Sequence, residues 1–351
     1  MTERSPYELS CPIPKSDYDR VLLAHGGGGR LSKDLIERMF YAALSNNYLR
    51  RGHDGAFLHI PREHLAFTTD SFVVTPLFFP GGNIGDLAVN GTVNDLACCG
   101  AVPGYLSLSF ILEEGLPLEE LWEIVKSVGR AAERSGVQIV TGDTKVVEKG
   151  KGDGVYINTS GIGEVIPGTA ISPGACRPGD VIIINGPIAD HGIAILSRRE
   201  GLEFRTEVTS DTAPLNHMIR AVLEACPSVR VLRDPTRGGV ASALNEICDA
   251  SGTGMTLFED RLPVGESVRG ACEILGFDPL YIANEGKVLI IAPEQDEQTI
   301  LKVLRSFPEG RGTVPIGRVN GDHPGLLKMR TVLGSERIVE MISGEQLPRI
   351  C

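Results

Sequence analysis

The chain has 351 residues, and its 34 Lys and Arg against 45 Asp and Glu give a formal charge of −11. An acidic surface repels the phosphate backbone of nucleic acids, so the composition argues against nucleic-acid binding. No apolar run approaches the ~18 residues needed to cross a bilayer, and the charged first residues do not form a secretory signal, so we expect a soluble, cytoplasmic protein.

Hydrophobic periodicity predicts mixed strands and helices in the first half of the chain. The polar segment 1–24 is expected to be a surface arm, and a glycine run follows it. The elements predicted next are a helix over 31–44, strands over 56–60 and 65–74, a helix over 83–99, a strand over 105–112, a helix over 118–135, and strands over 137–140 and 155–162. Glycines and prolines over 167–178 then mark a joint between two domains.

The second half repeats this mixture of elements. The predicted elements are a strand over 180–185, helices over 191–200 and 213–226, a strand over 229–232, a helix around 240–248, a strand over 287–292, a helix over 296–306 and a strand over 312–319. The fold class is therefore α+β, with an N-terminal α/β domain over 25–167 and a C-terminal α/β domain over 178–345. Residues 346–351 are predicted to be a mobile tail.

The eight cysteines contain no C-x-x-C pair and lack zinc-finger spacing to histidine, which favours reduced thiols over a metal site or disulfides. Cys248 lies on the apolar stripe of a predicted helix, and Cys98 and Cys99 close another helix, so all three are predicted to be core residues. Cys351 is the last residue, and taken alone it is most simply interpreted as a surface thiol.

Four aspartates lie next to glycines or at the ends of apolar segments: Asp70, Asp95, Asp143 and Asp234. For any one of them a turn or a helix cap is the simpler interpretation. Because the pattern recurs, it favours a shared site in which carboxylates hold Mg²⁺ against nucleotide phosphates. On the predicted helix 83–99, Asp86, Asn90 and Asn94 line one polar face at a spacing of four residues.

Other common nucleotide and hydrolase signatures are missing, since the sequence has no P-loop, no G-x-G-x-x-G after a strand and no G-x-S-x-G. The run of Gly26, Gly27, Gly28 and Gly29 before a helix can wrap phosphates with its N–H groups, although a hinge is an equally good interpretation. Lys145 and Glu285 stand beside glycine or aspartate turns and are candidates for proton transfer, although solvated loop charges are the simpler interpretation.

Taken together, eight motifs carry a family resemblance. They are HGGGGR at 25–30, FTTDS at 67–71, GDLAVNGTVNDL at 85–96, TGDTK at 141–145, GPIADHGIA at 186–194, RDPTRGG at 233–239, NEGK at 284–287 and PRIC at 348–351. The chain resembles the HypE family of hydrogenase maturation proteins, in the ATP-binding superfamily of aminoimidazole ribonucleotide synthetase and selenophosphate synthetase. The superfamily shares most of these motifs, and the terminal PRIC is the part typical of HypE.

The resemblance implies two domains of the aminoimidazole ribonucleotide synthetase type, with strands of the N-terminal domain pairing in a homodimer. It implies that ATP dehydrates a carbamoyl group on the thiol of Cys351 to a thiocyanate, which supplies cyanide to the iron of [NiFe]-hydrogenase. Glu285 and Lys145 are then the proton-transfer candidates. The implied Mg²⁺–ATP site comprises the four aspartates, Gly26 to Gly29, Asn94 and Thr144.

The implied partners are a carbamoyltransferase, HypF, which loads the thiol, and the iron-carrying HypC–HypD complex, which accepts the cyano group. Two other interpretations remain open from the residues. One is a non-catalytic scaffold that presents Cys351 to assembly partners. The other is a sibling ATP enzyme such as a selenophosphate synthetase, although Cys11 lacks the glycine and lysine context expected of its reactive residue.

Overall fold

The structure is a computed structural model that describes residues 18–26, 30–44, 46–49, 64–201, 208–341, Leu347 and Ile350. The predictions for Gly27 to Gly29, for a strand over 56–60 and for Cys351 lie outside the described residues. Within the described part, every helix is too short or too polar to cross a membrane.

The N-terminal part mixes helices and strands in the predicted order. In chain order, its elements are α1 (Arg30–Leu35), a π-helical turn (Ile36–Phe40), α2 (Tyr41–Leu44), β1 (Leu65–Phe72), β2 (Phe78–Phe79), β3 (Gly82–Asn83), α3 (Ile84–Cys98), β4 (Ala101–Glu113), α4 (Leu118–Ser135), β5 (Gln138–Val147) and β6 (Val155–Val165). Strands β1, β6, β4 and β5 form one sheet in that order; β4 and β5 are parallel and the other pairs are antiparallel.

Helices α3 and α4 cover one face of this sheet. Asn83 begins α3 with a capping box, because its side chain accepts from the Gly85 N–H at 2.8 Å while the Asp86 carboxylate accepts from the Asn83 N–H at 3.1 Å. Helix α3 is buried along nearly its whole length, between the sheet and the second half of the chain. Its position makes it the element on which the two halves meet.

The C-terminal part is built on a larger sheet. In chain order, its elements are β7 (Val181–Ile184), α5 (Asp190–Glu200), α6 (Asn216–Ala225), β8 (Val231–Arg233), α7 (Gly239–Ser251), β9 (Gly254–Phe258), α8 (Glu266–Leu275), β10 (Leu289–Ala292), α9 (Glu297–Leu304), β11 (Val314–Asn320), β12 (Leu327–Arg330) and β13 (Glu336–Ile338). The strand order is β13-β12-β9-β11-β7-β10-β8, antiparallel except for the β9–β12 pair. The central strands β7 and β10 are buried at every residue, as expected of a sheet covered on both faces.

Two local predictions were wrong. The segment 141–145, predicted to be a turn after a short strand, continues β5 as far as Val147, because β4 supplies a parallel partner along its length. Cys99, predicted to be core, caps the end of α3 and is exposed, whereas Cys98 and Cys248 are buried as predicted. The hydrophobic pattern of the sequence also did not predict β2, β3, β9, α8, β12 and β13.

Candidate functional site

Three of the four predicted aspartates converge where the two halves of the chain meet. Asp70 lies on β1, Asp95 on α3 and Asp234 immediately after β8. Burial, followed by the nearby Asp234 carboxylate, raises the pKa of Asp95 to about 7, although Thr68 Oγ1 donates to Asp95 Oδ2 at 2.9 Å. Burial also raises the pKa values of Asp70 and Asp234. The fold thus holds carboxylates close enough to oppose one another's ionisation.

This cluster suits a divalent cation shared with a phosphate ligand. Among the residues that the structure describes, no three His, Cys, Asp or Glu side chains are placed to hold a metal ion together. Magnesium, however, commonly takes only one or two carboxylates and completes its shell with phosphate oxygens and water. The hard oxygen donors and the raised pKa of Asp95 fit that mode, because a bound cation would relieve the mutual repulsion.

The fourth aspartate, Asp143, stands apart from the other three within one chain. Asp70 pairs across the sheet with Thr159, which pairs with Leu108 on the buried face. Asp143 pairs with Ser109 and therefore lies on the opposite, exposed face of the other edge strand. Three strand spacings separate the two edges, or roughly 14 Å. The prediction of one site with four carboxylates therefore needs correction: a single chain assembles three of them.

A cavity of about 370 Å³ lies beside β5. Its walls comprise the π-helical turn, α2, Tyr48 and Leu49, the β5 residues from Ile139 to Lys145, and His25. Thr144 lies on β5 opposite Phe110 and lines this cavity, as does Lys145. Gly26 ends a 3-10 turn next to His25, so the described start of the glycine run lies beside the cavity.

Asn94 and Glu285 join the two halves of the chain. Asn94 is 1% exposed, and its amide nitrogen donates to the carbonyl oxygens of Ala213 at 3.0 Å and Glu285 at 3.2 Å. Its amide oxygen accepts from the Leu215 N–H at 2.8 Å. Both amide protons are therefore used inside the chain, and Asn94, predicted to contact the nucleotide, instead holds the loop that carries Glu285 against α3.

Glu285 is 4% exposed and lies beside a buried ion pair. Its backbone N–H donates to Asp211 Oδ1 at 3.1 Å, and Lys287 Nζ is 2.9 Å from Asp211 Oδ2. Burial alone would raise the pKa of Asp211, but the Lys287 ammonium holds that pKa below its ordinary value. Glycine at position 286 permits this close approach of the Glu285 loop to Asp211, because a Cβ there would overlap the Asp211 carbonyl oxygen.

The same cluster contains two residues at the start of α5. Burial raises the pKa of Asp190 to about 6, partly opposed by Lys287. His191 is fully buried, with Nδ1 2.7 Å from Ser210 Oγ and Nε2 2.9 Å from the backbone oxygen of Ile350. Ile350 is itself 6% exposed, so the residue before Cys351 packs into the cluster that contains Glu285. The prediction of a mobile tail stays a prediction, and the structure shows a docked arrangement of Leu347 and Ile350.

The proton-transfer pair proposed from the sequence is not assembled within one chain. Lys145 is 65% exposed and faces Asp143 at 3.7 Å, on the far edge of the four-stranded sheet. Lys287, which was not among the proton-transfer candidates, lies in the cluster around Glu285 and pairs with Asp211. Lys287 belongs to the NEGK motif, and Asp190 and His191 belong to the GPIADHGIA motif, so the quoted motifs contained all three residues. Asp211 lies in the loop between α5 and α6, and no motif around it identifies it as a site residue.

Comparison with known proteins places the chain in one family. Residues 52–165 match the family described as AIR synthase related protein, N-terminal domain, and residues 177–327 match its C-terminal domain. The chain is 52% identical over 333 residues to carbamoyl dehydratase HypE of Cupriavidus necator, covering 95% of each chain. It is 51% identical over 331 residues to carbamoyl dehydratase HypE of Azotobacter vinelandii, covering 94% of this chain and 97% of that one.

Solved structures agree with this similarity. A crystal structure of the hydrogenase maturation protein HypE in complex with ATP superimposes with a TM-score of 0.91 at 48% identity, covering 94% of this chain and 99% of that one. A HypE chain from a HypE–HypF complex superimposes with a TM-score of 0.78 at 48% identity, covering 88% of this chain and 99% of that one.

Proposed function

This chain belongs to the HypE family of carbamoyl dehydratases, and we propose that its buried cluster around Glu285 dehydrates a carbamoyl group carried by Cys351. The observation that carries this proposal is the docking of Ile350 on His191, in the same cluster as Glu285, Asp211 and Lys287. The chain is an ATP-dependent enzyme of hydrogenase maturation. Membership of this family excludes the selenophosphate synthetase interpretation.

The reaction needs ATP because the carbamoyl oxygen is a poor leaving group. In the proposed sequence the S-carbamoyl oxygen attacks the γ-phosphorus of ATP, and the bond from that phosphorus to ADP breaks. Loss of the phosphate then breaks the C–O bond, while the two N–H protons leave and a C≡N bond forms. The products are S-cyanocysteine, ADP and phosphate, so the oxygen that would have left as water leaves in the phosphate.

The residues of the cluster suit the removal of those protons. Glu285 is the proposed base, because its loop is fixed from both sides: Asn94 donates to its carbonyl and Asp211 accepts from its N–H. Asp190, whose pKa burial raises to about 6, is a second carboxyl that can take or return a proton near neutral pH. The Lys287–Asp211 pair keeps a cation buried beside them.

The proposed nucleotide site combines the cavity beside β5 of one copy with the cluster of Asp70, Asp95 and Asp234 of a second copy, because β5 and β1 are opposite edges of the sheet within one chain. The cavity walls would take the adenosine part, with Thr144 and the glycine run near the phosphates. Asp95 and its two neighbours would hold Mg²⁺, which when bound neutralises charge developing on the transferred phosphoryl group.

We also propose that the functional unit is a homodimer that shares its sites between subunits. Strands β1 and β5 are the edges of the four-stranded sheet, and its open face exposes Phe67 to 68%. Pairing of these edges with a second copy covers that face. It also brings Lys145 and Asp143 of one copy next to β1 of the other, where Asp70 lies.

The proposed partners follow from the chemistry and from the HypE–HypF complex. A carbamoyltransferase, HypF, must load the thiol of Cys351, since this cluster has no means of making a carbamoyl donor. An iron-carrying acceptor, HypC–HypD, must take the cyano group, which otherwise stays on sulfur.

Mass analysis of the carbamoylated protein tests the proposed reaction. With Mg²⁺ and ATP, the wild-type C-terminal peptide should lose one water. Glu285→Gln should bind ATP and lose water at least about a hundredfold more slowly, in line with removal of a general base. Glu266→Gln, on the exposed first turn of α8, is the matched control. Failure of the wild-type protein to lose water would favour the scaffold interpretation instead.

Mixing two inactive variants tests the shared sites. Lys145→Ala and Glu285→Gln should each be inactive as homodimers. A mixed dimer contains one site with neither substitution if the two residues come from different subunits, so activity should return on mixing. No recovery, in a preparation shown by mass to contain mixed dimers, would contradict the shared arrangement.

A further inference from the structure

His191 is built to hold one backbone carbonyl. Its ring lies at the start of α5, fully buried, edge-on to Phe79 with ring centroids 5.6 Å apart. The two ring nitrogens each have one partner: Ser210 Oγ at 2.7 Å and the Ile350 oxygen at 2.9 Å. The imidazole therefore joins the loop that carries Asp211 to the end of the chain.

The chemistry of these partners fixes the tautomer. A backbone carbonyl only accepts, so Nε2 must carry the proton and donate to Ile350. In the neutral ring Nδ1 then accepts, and the hydroxyl of Ser210 donates to it. Ser210 Oγ also accepts from the Thr212 N–H at 3.2 Å, which orients the hydroxyl. Burial lowers the pKa of His191, in keeping with a neutral imidazole, although nearby Asp211 opposes that shift.

The tail packs around this hydrogen bond. Ile350 lies in the buried cluster that includes Ile195 and Ala283, and Leu347 packs against both that cluster and the one containing Ile193. Leu347 also approaches α5 closely, with Cδ1 3.4 Å from the position of a Cβ on Gly192. Two apolar side chains three residues apart and one hydrogen bond from a side chain to the main chain thus hold Leu347 and Ile350 in place.

We propose that His191 is a positioning residue that registers the carbamoylated C-terminus for dehydration, by donating its Nε2–H to the carbonyl of Ile350. That carbonyl belongs to the peptide bond leading to Cys351, so the hydrogen bond anchors the chain one residue before the thiol-bearing position. Apolar packing of Leu347 and Ile350 gives affinity but little register, whereas a single directed hydrogen bond fixes the position along the chain. This inference rests on the proposed function.

The variants separate the hydrogen bond from the bulk of the ring. His191→Phe keeps an aromatic ring and removes both nitrogens, whereas His191→Gln places an amide nitrogen near the position of Nε2 and keeps the donor. Ser210→Ala removes the hydroxyl that fixes the tautomer and is a milder change should His191→Phe fold poorly. His217→Phe is the matched control, because exposed His217 also contacts a backbone oxygen, that of Arg134 at 3.1 Å.

Two measurements are made on each full-length variant. The first is the single-turnover loss of water from the carbamoylated C-terminal peptide at saturating ATP. The second is the rate at which iodoacetamide alkylates Cys351 in the uncarbamoylated protein, followed on the same peptide. The second measurement does not require the proposed reaction, so it tests the docked tail even if that reaction fails.

We expect His191→Phe to slow water loss by about tenfold or more and to speed alkylation of Cys351, with ATP affinity unchanged. His191→Gln should restore most of both values, Ser210→Ala should show a smaller change in the same direction, and His217→Phe should match the wild type. Wild-type behaviour of His191→Phe in both assays would overturn the proposal. A His191→Gln variant as impaired as His191→Phe would also overturn it, because restoring the hydrogen-bond donor would then have no effect.

Discussion

Removal of one partner from the Asp211–Lys287 pair should destabilise the protein far more than removal of a surface pair. The atoms are 2.9 Å apart, and the two side chains are only 5% and 8% exposed. Asp211→Asn keeps the shape and leaves the Lys287 ammonium buried without its counter-charge, at a cost of about 3–5 kcal/mol. For a domain of this size that corresponds to a drop in Tm of roughly 10 °C.

The surface pair Arg220–Glu224 provides the comparison. Its atoms are closer, at 2.7 Å, but its side chains are 56% and 57% exposed. Solvent screening limits such a pair to about 0.2–1 kcal/mol. We therefore predict that burial, rather than distance, decides how much each pair contributes to the free energy of unfolding. Glu224→Gln should leave Tm nearly unchanged.

Calorimetry and urea unfolding followed by circular dichroism measure these differences. Trp122, the single tryptophan, lies in α4, so its fluorescence follows the N-terminal part separately. The double variant Asp211→Asn/Lys287→Met should be more stable than Asp211→Asn alone, because it removes the buried ammonium that Asp211→Asn leaves without its partner. If Asp211→Asn cost no more than Glu224→Gln, the reasoning from burial would be refuted.

Three further predictions concern other parts of the molecule. The pKa of Asp95 rises from 3.8 to about 7 on folding, so the folded state binds the extra proton and stability falls as pH rises through that window. Without Mg²⁺, Asp95→Asn should therefore raise Tm at pH 8, where the buried carboxylate is charged, and not at pH 4, where it is protonated. A gain in Tm that did not depend on pH would show that the charge of Asp95 is not its source. Gly286→Ala should impair folding or separate the loops, because its Cβ would overlap the Asp211 carbonyl oxygen, and a wild-type Tm would contradict that contact. In native protein Cys99 should be alkylated before buried Cys98, as peptide mapping can show.

The sequence alone determined most of the secondary structure. Helices α3, α4 and α7 and the buried strands β7 and β10 lie where the sequence predicted them. The helical spacing of apolar residues marks α4 and α7, and continuous apolar runs mark the two strands, so each signal lies within its own segment. The motifs also pointed to the family, as the comparisons confirm. They further marked Asp70, Asp95 and Asp234, which converge in the structure.

Local patterns failed where the partner of a segment decided its conformation. The glycine and aspartate of 141–145 are typical of a turn, yet pairing with β4 keeps this segment extended. Asn94 has the chemistry to bind a nucleotide, yet its hydrogen bonds go to the loop of Glu285 and to the start of α6. Neither outcome is encoded within the segment itself.

The sequence by itself thus determined most of the helices and strands and the acidic motifs, and it predicted a role for the thiol of Cys351. Only the tertiary structure decided which charges meet within one chain: that Lys287, rather than Lys145 of the same chain, lies near Glu285, and that His191 holds the carbonyl of Ile350. The physical reason is that helical and strand periods arise from neighbours a few positions apart. The surroundings of a buried charge, in contrast, depend on packing between segments far apart in the chain, 74 residues for Glu285 and Asp211 and 159 residues for His191 and Ile350.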